Sequence, residues 1–256
     1  MRPQAVITGA SAGIGAALAP RLAAAGYDLV LVARRAERLE ALAAEQRSRG
    51  CGVELVALDV CEPDAADRIL AAAPRLEVLV NNAGAGKFGP LEQASPEEQA
   101  AMVRLNCESL TRITTAIAPV LVRAGKGTIV NIASIAGFQP VPFFATYGAT
   151  KAYVLSFSQA LDAELAPKGV RVVAVCPGPV PTEFQALAGT PDARHSPRMW
   201  MRTPEQVADA CVRAIRRPRR VVTPAPIHAL VRFLWRFLPG SVVVWLAGRG
   251  MKKRLP

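Results

Sequence analysis

Short apolar runs alternate along the chain with longer stretches of helical period. The run "QAVIT" at 4–8 reads as a strand buried on both faces. A helix is expected from Ile14 to about Ala25, ending at Gly26, a residue that suits the left-handed turn past a helix C-terminus. "DLVLVA" predicts a second strand and "RLEALAAEQRSRG" the helix after it. "VELVALDV" predicts a third strand, and "LEVLVNNAG" a fourth that runs into a polar, glycine-containing turn. A long helix is expected from Ser95: the serine caps it, Pro96 suits its first turn, and Glu98 completes a capping box. "GTIVNIAS" is the fifth strand, "TYGATKAYVLSFSQALDAELA" another long helix and "VRVVAVCPGPV" the sixth strand. Strands separated by helices predict an α/β fold, a single doubly wound parallel sheet with helices on both faces. Ligands of such sheets bind beyond the carboxyl ends of the strands. The turns Gly9–Gly15, Asn81–Gly84, Ser134 and Pro177–Thr182 all fall there.

The chain has 256 residues, 51% of them hydrophobic, enough for one α/β core without linkers or repeats. Residues 1–226 read as the catalytic domain. Within it, 180–202 has few periodic apolar positions and reads as a mobile loop closing over substrate, with Phe184, Leu187, Met199 and Trp200 either lining an apolar pocket or packing the loop down. The first apolar run begins at Ala5, which predicts no secretory leader before it. Five widely spaced cysteines without a CxxC predict free thiols and a cytoplasmic setting. The two histidines, His195 and His228, have no partners at ligand spacing, so no metal site and no Ser-His-Asp triad is expected.

Charge changes the picture at the C-terminus. Eleven of the 31 Lys and Arg residues follow Asp209, with no Asp or Glu among them, so the remaining 20 balance the chain's 20 acidic residues. A nucleic-acid-binding domain would carry its basic stripe over the fold, so that class is disfavoured. In the tail, 227–256, Ile227, Leu230, Val231, Leu234 and Leu238 follow helical spacing, while Arg232 and Arg236 lie elsewhere on the wheel. No stretch reaches the ~20 apolar residues that span a bilayer. Two readings stay open: the tail packs on the cleft or a second subunit, or it rests on a membrane surface with Trp235 and Trp245 at the interface.

The candidate chemistry lies in the turns. "TGASAGIG" places Gly9, Gly13 and Gly15 directly after the first strand and at a helix start, where a dinucleotide pyrophosphate meets free N–H groups and the helix dipole. The second strand ends in "VARR". With no acidic residue before Glu37 to accept a ribose hydroxyl, Arg34 and Arg35 favour a 2′-phosphate, hence NADP(H); ordinary solvated arginines are the alternative. In "YGATK", Tyr147 and Lys151 share a helix face, with only small residues between. A nearby ammonium, together with the positive charge of an oxidised nicotinamide, is expected to favour the phenolate and so suit the tyrosine for acid–base work. Ser134, closing the fifth strand, is placed to hydrogen-bond the same substrate oxygen. Asn106 sits inside a predicted helix, where asparagine is a poor fit, marking either a kink or a functional amide.

These motifs, with "NNAG" at 81–84 and "PGPVPT" at 177–182, resemble in order and spacing those of the short-chain dehydrogenase/reductase family. The motif set spans about 175 residues, is specific for the family and says little about substrate. The resemblance implies a Rossmann-type fold and a ketone/oxoacyl reductase or alcohol dehydrogenase. Its catalytic residues would be Asn106, Ser134, Tyr147 and Lys151, with Asn106 positioning a relay water. It also implies cofactor contacts from Gly9, Ser11, Gly13, Ile14, Gly15, Arg34, Asp59 (adenine), Val60, Asn82, Ala83, Gly84, Tyr147, Lys151, Pro177, Gly178, Val180 and Thr182 (carboxamide). Asn81 serves equally as a structural residue. The resemblance implies a homodimer or homotetramer through the helices beginning near Ser95 and Tyr147. The substrate would be a small carbonyl compound or alcohol, with an acyl-chain or steroid-like ketone mildly favoured. A nucleotide-binding regulator without turnover, and an isomerase or dehydratase, are the rival functions.

Overall fold

The computed structural model describes residues 1–190, 194, 197–235 and 237–252. Seven parallel strands form one sheet in the order β3-β2-β1-β4-β5-β6-β7. The strands are β1 (Gln4–Thr8), β2 (Asp28–Ala33), β3 (Val53–Ala57), β4 (Leu76–Asn81), β5 (Gly127–Ile132), β6 (Val170–Val175) and β7 (Val221–Val222). The helices between them are α1 (Gly13–Ala24), α2 (Ala36–Arg47), α3 (Ala65–Ala72), α4 (Pro96–Val103), α5 (Leu110–Arg123), α6 (Ala145–Leu165), α7 (Glu183–Ala188) and α8 (Pro204–Arg216). Two more, α9 (Pro226–Trp235) and α10 (Gly240–Lys252), follow the sheet.

The apolar strands are covered on both faces, which explains their unbroken hydrophobic runs. Leu18, Leu22, Leu39 and Val207 close one face, from α1, α2 and α8. Ile69, Ile113, Ile117 and Leu121 close the other, from α3 and α5. Strand order reverses between β1 and β4, so a crevice opens at their carboxyl ends. Thr8 fastens that point: its hydroxyl accepts from the N–H groups of Asn82 (3.0 Å) and Ala83 (3.1 Å).

Three local features differ from expectation. The two-residue strand β7 is too short to carry a period. Its ladder to β6 is extended by Ala174 and Cys176 donating to Arg220 and Val222, and the Arg220 guanidinium reaches the buried Asp162 carboxylate at 3.0 Å. Ser95 caps α4 by accepting from Glu98 N, but the Glu98 carboxylate bonds Lys87 (3.0 Å) instead of returning to the cap, so only half of the capping box forms. The long helix after Ser95 is interrupted by a π-helical turn, Arg104–Ser109.

The tail packs against the body. His228 of α9 is buried beneath Gly178, Arg232 lies over the Phe138 ring at 5.3 Å, and Gly248 of α10 faces Pro142. Outward, the two helices leave large apolar side chains in solvent, among them Phe233 (57% exposed) and Trp245 (58%), and Phe237 in the turn between them is also exposed. Among the described residues, no helix is long and apolar enough to cross a membrane. Arg236 and His195 lie outside the described residues.

Candidate active site

A cleft of roughly 1080 Å³ runs along the carboxyl edge of the sheet. Of the site residues expected from sequence, all line it except Gly15 and Asn106, which stand behind its wall. The glycine turn builds the first part. Gly9 (φ 65°) and Gly13 (φ 55°) hold left-handed conformations that other residues rarely adopt. A Cβ on Gly15 would lie 2.3 Å from the Gly9 carbonyl oxygen and 2.6 Å from Asn82 Nδ2. Asn82 itself donates to the Thr8 and Gly9 carbonyls (2.9 and 3.1 Å), bracing the turn from behind. Helix α1 begins here with Ala12 at its cap, no side-chain cap bond and no acidic residue in its first turn. Its N-terminal N–H groups and dipole therefore face the cleft uncompensated, as an anion such as a pyrophosphate requires. The residues present fit a dinucleotide.

At the far end of β2, Arg34 is 77% exposed and stands 3.6 Å from the Asp59 carboxylate. Asp59 also accepts from Cys61 N at 2.9 Å. Arg35 turns inward instead, donating to Ser11 Oγ (3.1 Å) and pairing with Glu183 (2.8 Å), which also binds Arg38 (2.5 Å). Glu183 belongs to α7, so an acidic residue of the expected lid bridges to the arginine-bearing turn. The lid is partly helical, with Thr182 as N-cap in a capping box with Gln185. Phe184 and Leu187 line the cleft; Met199 is exposed, and Trp200 packs against His228 at 5.5 Å. Residues 191–193 and 195–196 of this segment lie outside the described residues.

Ser134, Tyr147 and Lys151 meet at the middle of the cleft, all three buried. Lys151 Nζ donates to the Ile132 carbonyl (2.8 Å) and lies 5.7 Å from the Tyr147 ring centre. Burial holds its ammonium down to about 8. Tyr147 departs from expectation: burial pushes its phenol up to about 12, and the hydrogen bond from Ser134 recovers only part of that. Desolvation dominates, so the protein alone keeps the phenol protonated, the form that donates a proton. Asn106 is also buried. Its amide donates to the Ala85 carbonyl (2.9 Å) and Thr150 Oγ1 (3.0 Å), and its carbonyl oxygen accepts from Ala85 N (2.9 Å). It thus ties the cleft loop to α6, and Thr150 in turn donates to the Tyr147 carbonyl. Asn81 bonds Thr114 and Asn131 inside the sheet and takes the structural role.

Several lining residues escaped the sequence reading: Met102, Val141 and Phe144 beside Tyr147, and Met251 from α10, with Phe88 packed in the same cluster behind them. They come from loops and a distant helix, and carry no motif. A buried phenol, a hydroxyl and an ammonium beside an anion-binding cradle can together bind a nucleotide and move a proton to or from an oxygen.

The model of the short chain dehydrogenase family matches residues 3–192. Sulfoacetaldehyde reductase of Chromohalobacter salexigens is 41% identical over 209 residues, 79% of this chain and 82% of the relative. A short-chain dehydrogenase from Sphingobium yanoikuyae, solved in complex with NADPH, superposes with a TM-score of 0.81 at 37% identity, covering 93% of this chain and 96% of that one. Another, from Burkholderia phymatum in complex with NAD, gives 0.80 at 26% identity, covering 91% and 92%. With its sheet order, glycine cradle and Ser134, Tyr147 and Lys151 in one cleft, the chain belongs to the short-chain dehydrogenase/reductase family of oxidoreductases acting on alcohol and carbonyl groups.

Proposed function

We propose that this protein is an NADP(H)-dependent reductase that interconverts a ketone or oxoacyl carbonyl and a secondary alcohol. The observation that carries the reading is the convergence of Ser134, Tyr147 and Lys151 on one cleft with the uncapped N-terminus of α1. The nicotinamide, when bound, supplies or accepts the hydride. Tyr147, held as a neutral phenol, gives its proton to the carbonyl oxygen as negative charge develops there. Ser134 donates a hydrogen bond to the same oxygen and lowers the cost of that charge. Lys151, a buried cation near the tyrosine, stabilises the phenolate left behind.

The preference for NADP(H) rests on the turn after β2. Three guanidinium groups, Arg34, Arg35 and Arg38, crowd the adenosine end of the cleft against two carboxylates, Asp59 and Glu183. Arg34 keeps most of its surface free to meet a 2′-phosphate. Arg34→Ala should weaken NADPH by about ten- to a hundredfold, the loss of one charge-assisted contact of roughly 1.5–3 kcal/mol, and leave NADH nearly as it was. Fluorescence titration with both cofactors checks this, and an equal loss for the two would remove Arg34 from the role. Net oxidation of NADPH by a panel of carbonyl compounds tests the reaction itself. Binding without oxidation would favour a regulator, and product formation without net cofactor consumption an isomerase.

A further inference from the structure

We infer that the substrate end of the cleft is an aromatic box suited to a neutral ketone bearing an aryl or similarly flat, bulky substituent. This rests on the reading of the site as a carbonyl reductase and adds the substrate class. The Tyr147 ring stacks on Phe144 with centroids 4.2 Å apart and planes at 19°, and Phe184 is tilted toward it at 5.5 Å and 48°. Phe88 meets Phe144 edge-on at 5.9 Å and 88°. Phe144 and Phe184 come from separate segments, yet both line the cleft against the one phenol that would meet the carbonyl oxygen, and Phe88 from a third segment backs Phe144. A flat π-bearing substituent finds offset and edge contacts there that an alkyl chain of equal area does not.

Two backbone features are shaped to this cluster. A Cβ on Gly86 would lie 2.6 Å from Phe184 Cζ and 2.9 Å from Phe144 Cζ, so both ring tips close over bare backbone. Phe143 sits at φ 62°, the one described non-glycine residue at positive φ, and such a conformation is a genuine outlier for a bulky side chain. Its carbonyl accepts from Gly89 N at 2.8 Å, which pins the loop carrying Phe88, while the next residue supplies the stacked ring. Strain of this kind persists only where the surroundings hold it, typically around ligands and active sites.

Charge excludes the competing class. A small anionic substrate needs a desolvated cation beside its reacting end. Among the described residues, the cations lining the cleft either lie toward its adenosine end or have partners already. Arg34 and Arg35 mark that end, and Arg104 lies near Cys61, next to Asp59 and Val60. Lys87 is paired with Glu98, and Lys151 with the Ile132 carbonyl. Arg194 lines a neighbouring hollow beside α7, not this cleft.

The test uses the full chain with NADPH and four carbonyl probes: acetone, 2-octanone, acetophenone and sulfoacetaldehyde. The kcat/KM for acetophenone should exceed that for acetone or sulfoacetaldehyde by about a hundredfold or more, and that for 2-octanone by about fivefold or more. In Phe184→Leu, which keeps an apolar side chain of similar bulk, the acetophenone to 2-octanone ratio should fall to near one. A preference for sulfoacetaldehyde, or equal rates for acetophenone and 2-octanone in the parent protein, would overturn the box and leave the reductase reading standing. No oxidation with any probe by protein that binds NADPH would overturn the reductase reading instead. Saturation-transfer NMR on NADPH-loaded protein then judges the box without turnover: transfer to the acetophenone ring is expected, and its absence counts against the box.

Discussion

Tyr147→Phe should fold, bind NADPH as the parent does, and lose at least about a thousandfold in kcat, within the range that general acid–base catalysis contributes. The substitution keeps the ring, so the stack on Phe144 and the contact with Phe184 survive. Only the hydroxyl goes, and with it the proton donor and the partner of Ser134. The ring packing is kept, so the stability cost is confined to the one lost hydrogen bond, about 1 kcal/mol. Steady-state NADPH oxidation, a thermal melt and a cofactor titration on one preparation separate the three effects. Turnover comparable to the parent in a well-folded variant would sink the tyrosine as proton donor.

The second large effect is expected at Gly15, where no reacting group is involved. A methyl there meets the Gly9 carbonyl oxygen and the Asn82 amide, both far inside contact distance, and the amide is already committed to bracing the turn. Neither obstacle is the loose end of a flexible chain. Gly15→Ala should therefore cost about 3 kcal/mol in folding stability, as overpacking does, and weaken either nicotinamide cofactor by displacing the turn that holds its pyrophosphate. At Gly26 a Cβ meets nothing within 4 Å, so any cost there comes from the positive φ alone. Urea unfolding and NADPH titration check the Gly15 variant. A midpoint and an affinity matching the parent would show that the cradle has room to spare.

How far the sequence could be read depends on the range of the forces involved. Six strands were legible because burial on both faces leaves a local apolar run, whereas Val221–Val222 is a strand only through its ladder to β6 and the reach of Arg220 to Asp162. The pairing of Tyr147 with Lys151 was legible because a helix fixes it. The π-helical turn at Arg104–Ser109 was not, because Asn106 is held there by Ala85 and Thr150, which no local pattern announces. Glu98 found a better partner in Lys87 than the cap it was expected to serve. The upward Tyr147 shift in the protein without cofactor was not legible, because spacing reports a neighbouring charge but not the depth of burial. Phe184 was legible as a pocket candidate, but the aromatic cluster it joins was not, because Phe88 and Phe144 meet it only in three dimensions.

The outward faces of α9 and α10 should make what this face binds depend on ionic strength. Exposed Leu230, Phe233 and Trp245 share these helices with Arg249 and Lys252, and no acidic residue follows Asp209. Two copies meeting through this face would set cation against cation, so dilute buffer keeps them apart. Added salt shortens the range of that repulsion, from about 10 Å at 0.1 M to about 3 Å at 1 M, while the pull between apolar surfaces persists. Contact with an anionic bilayer has the opposite sign, because the same screening removes its attraction. Light scattering and vesicle pelleting across a salt series should therefore slope in opposite directions: mass that grows with salt marks a protein partner for this face, and pelleting that fades with salt marks a lipid one.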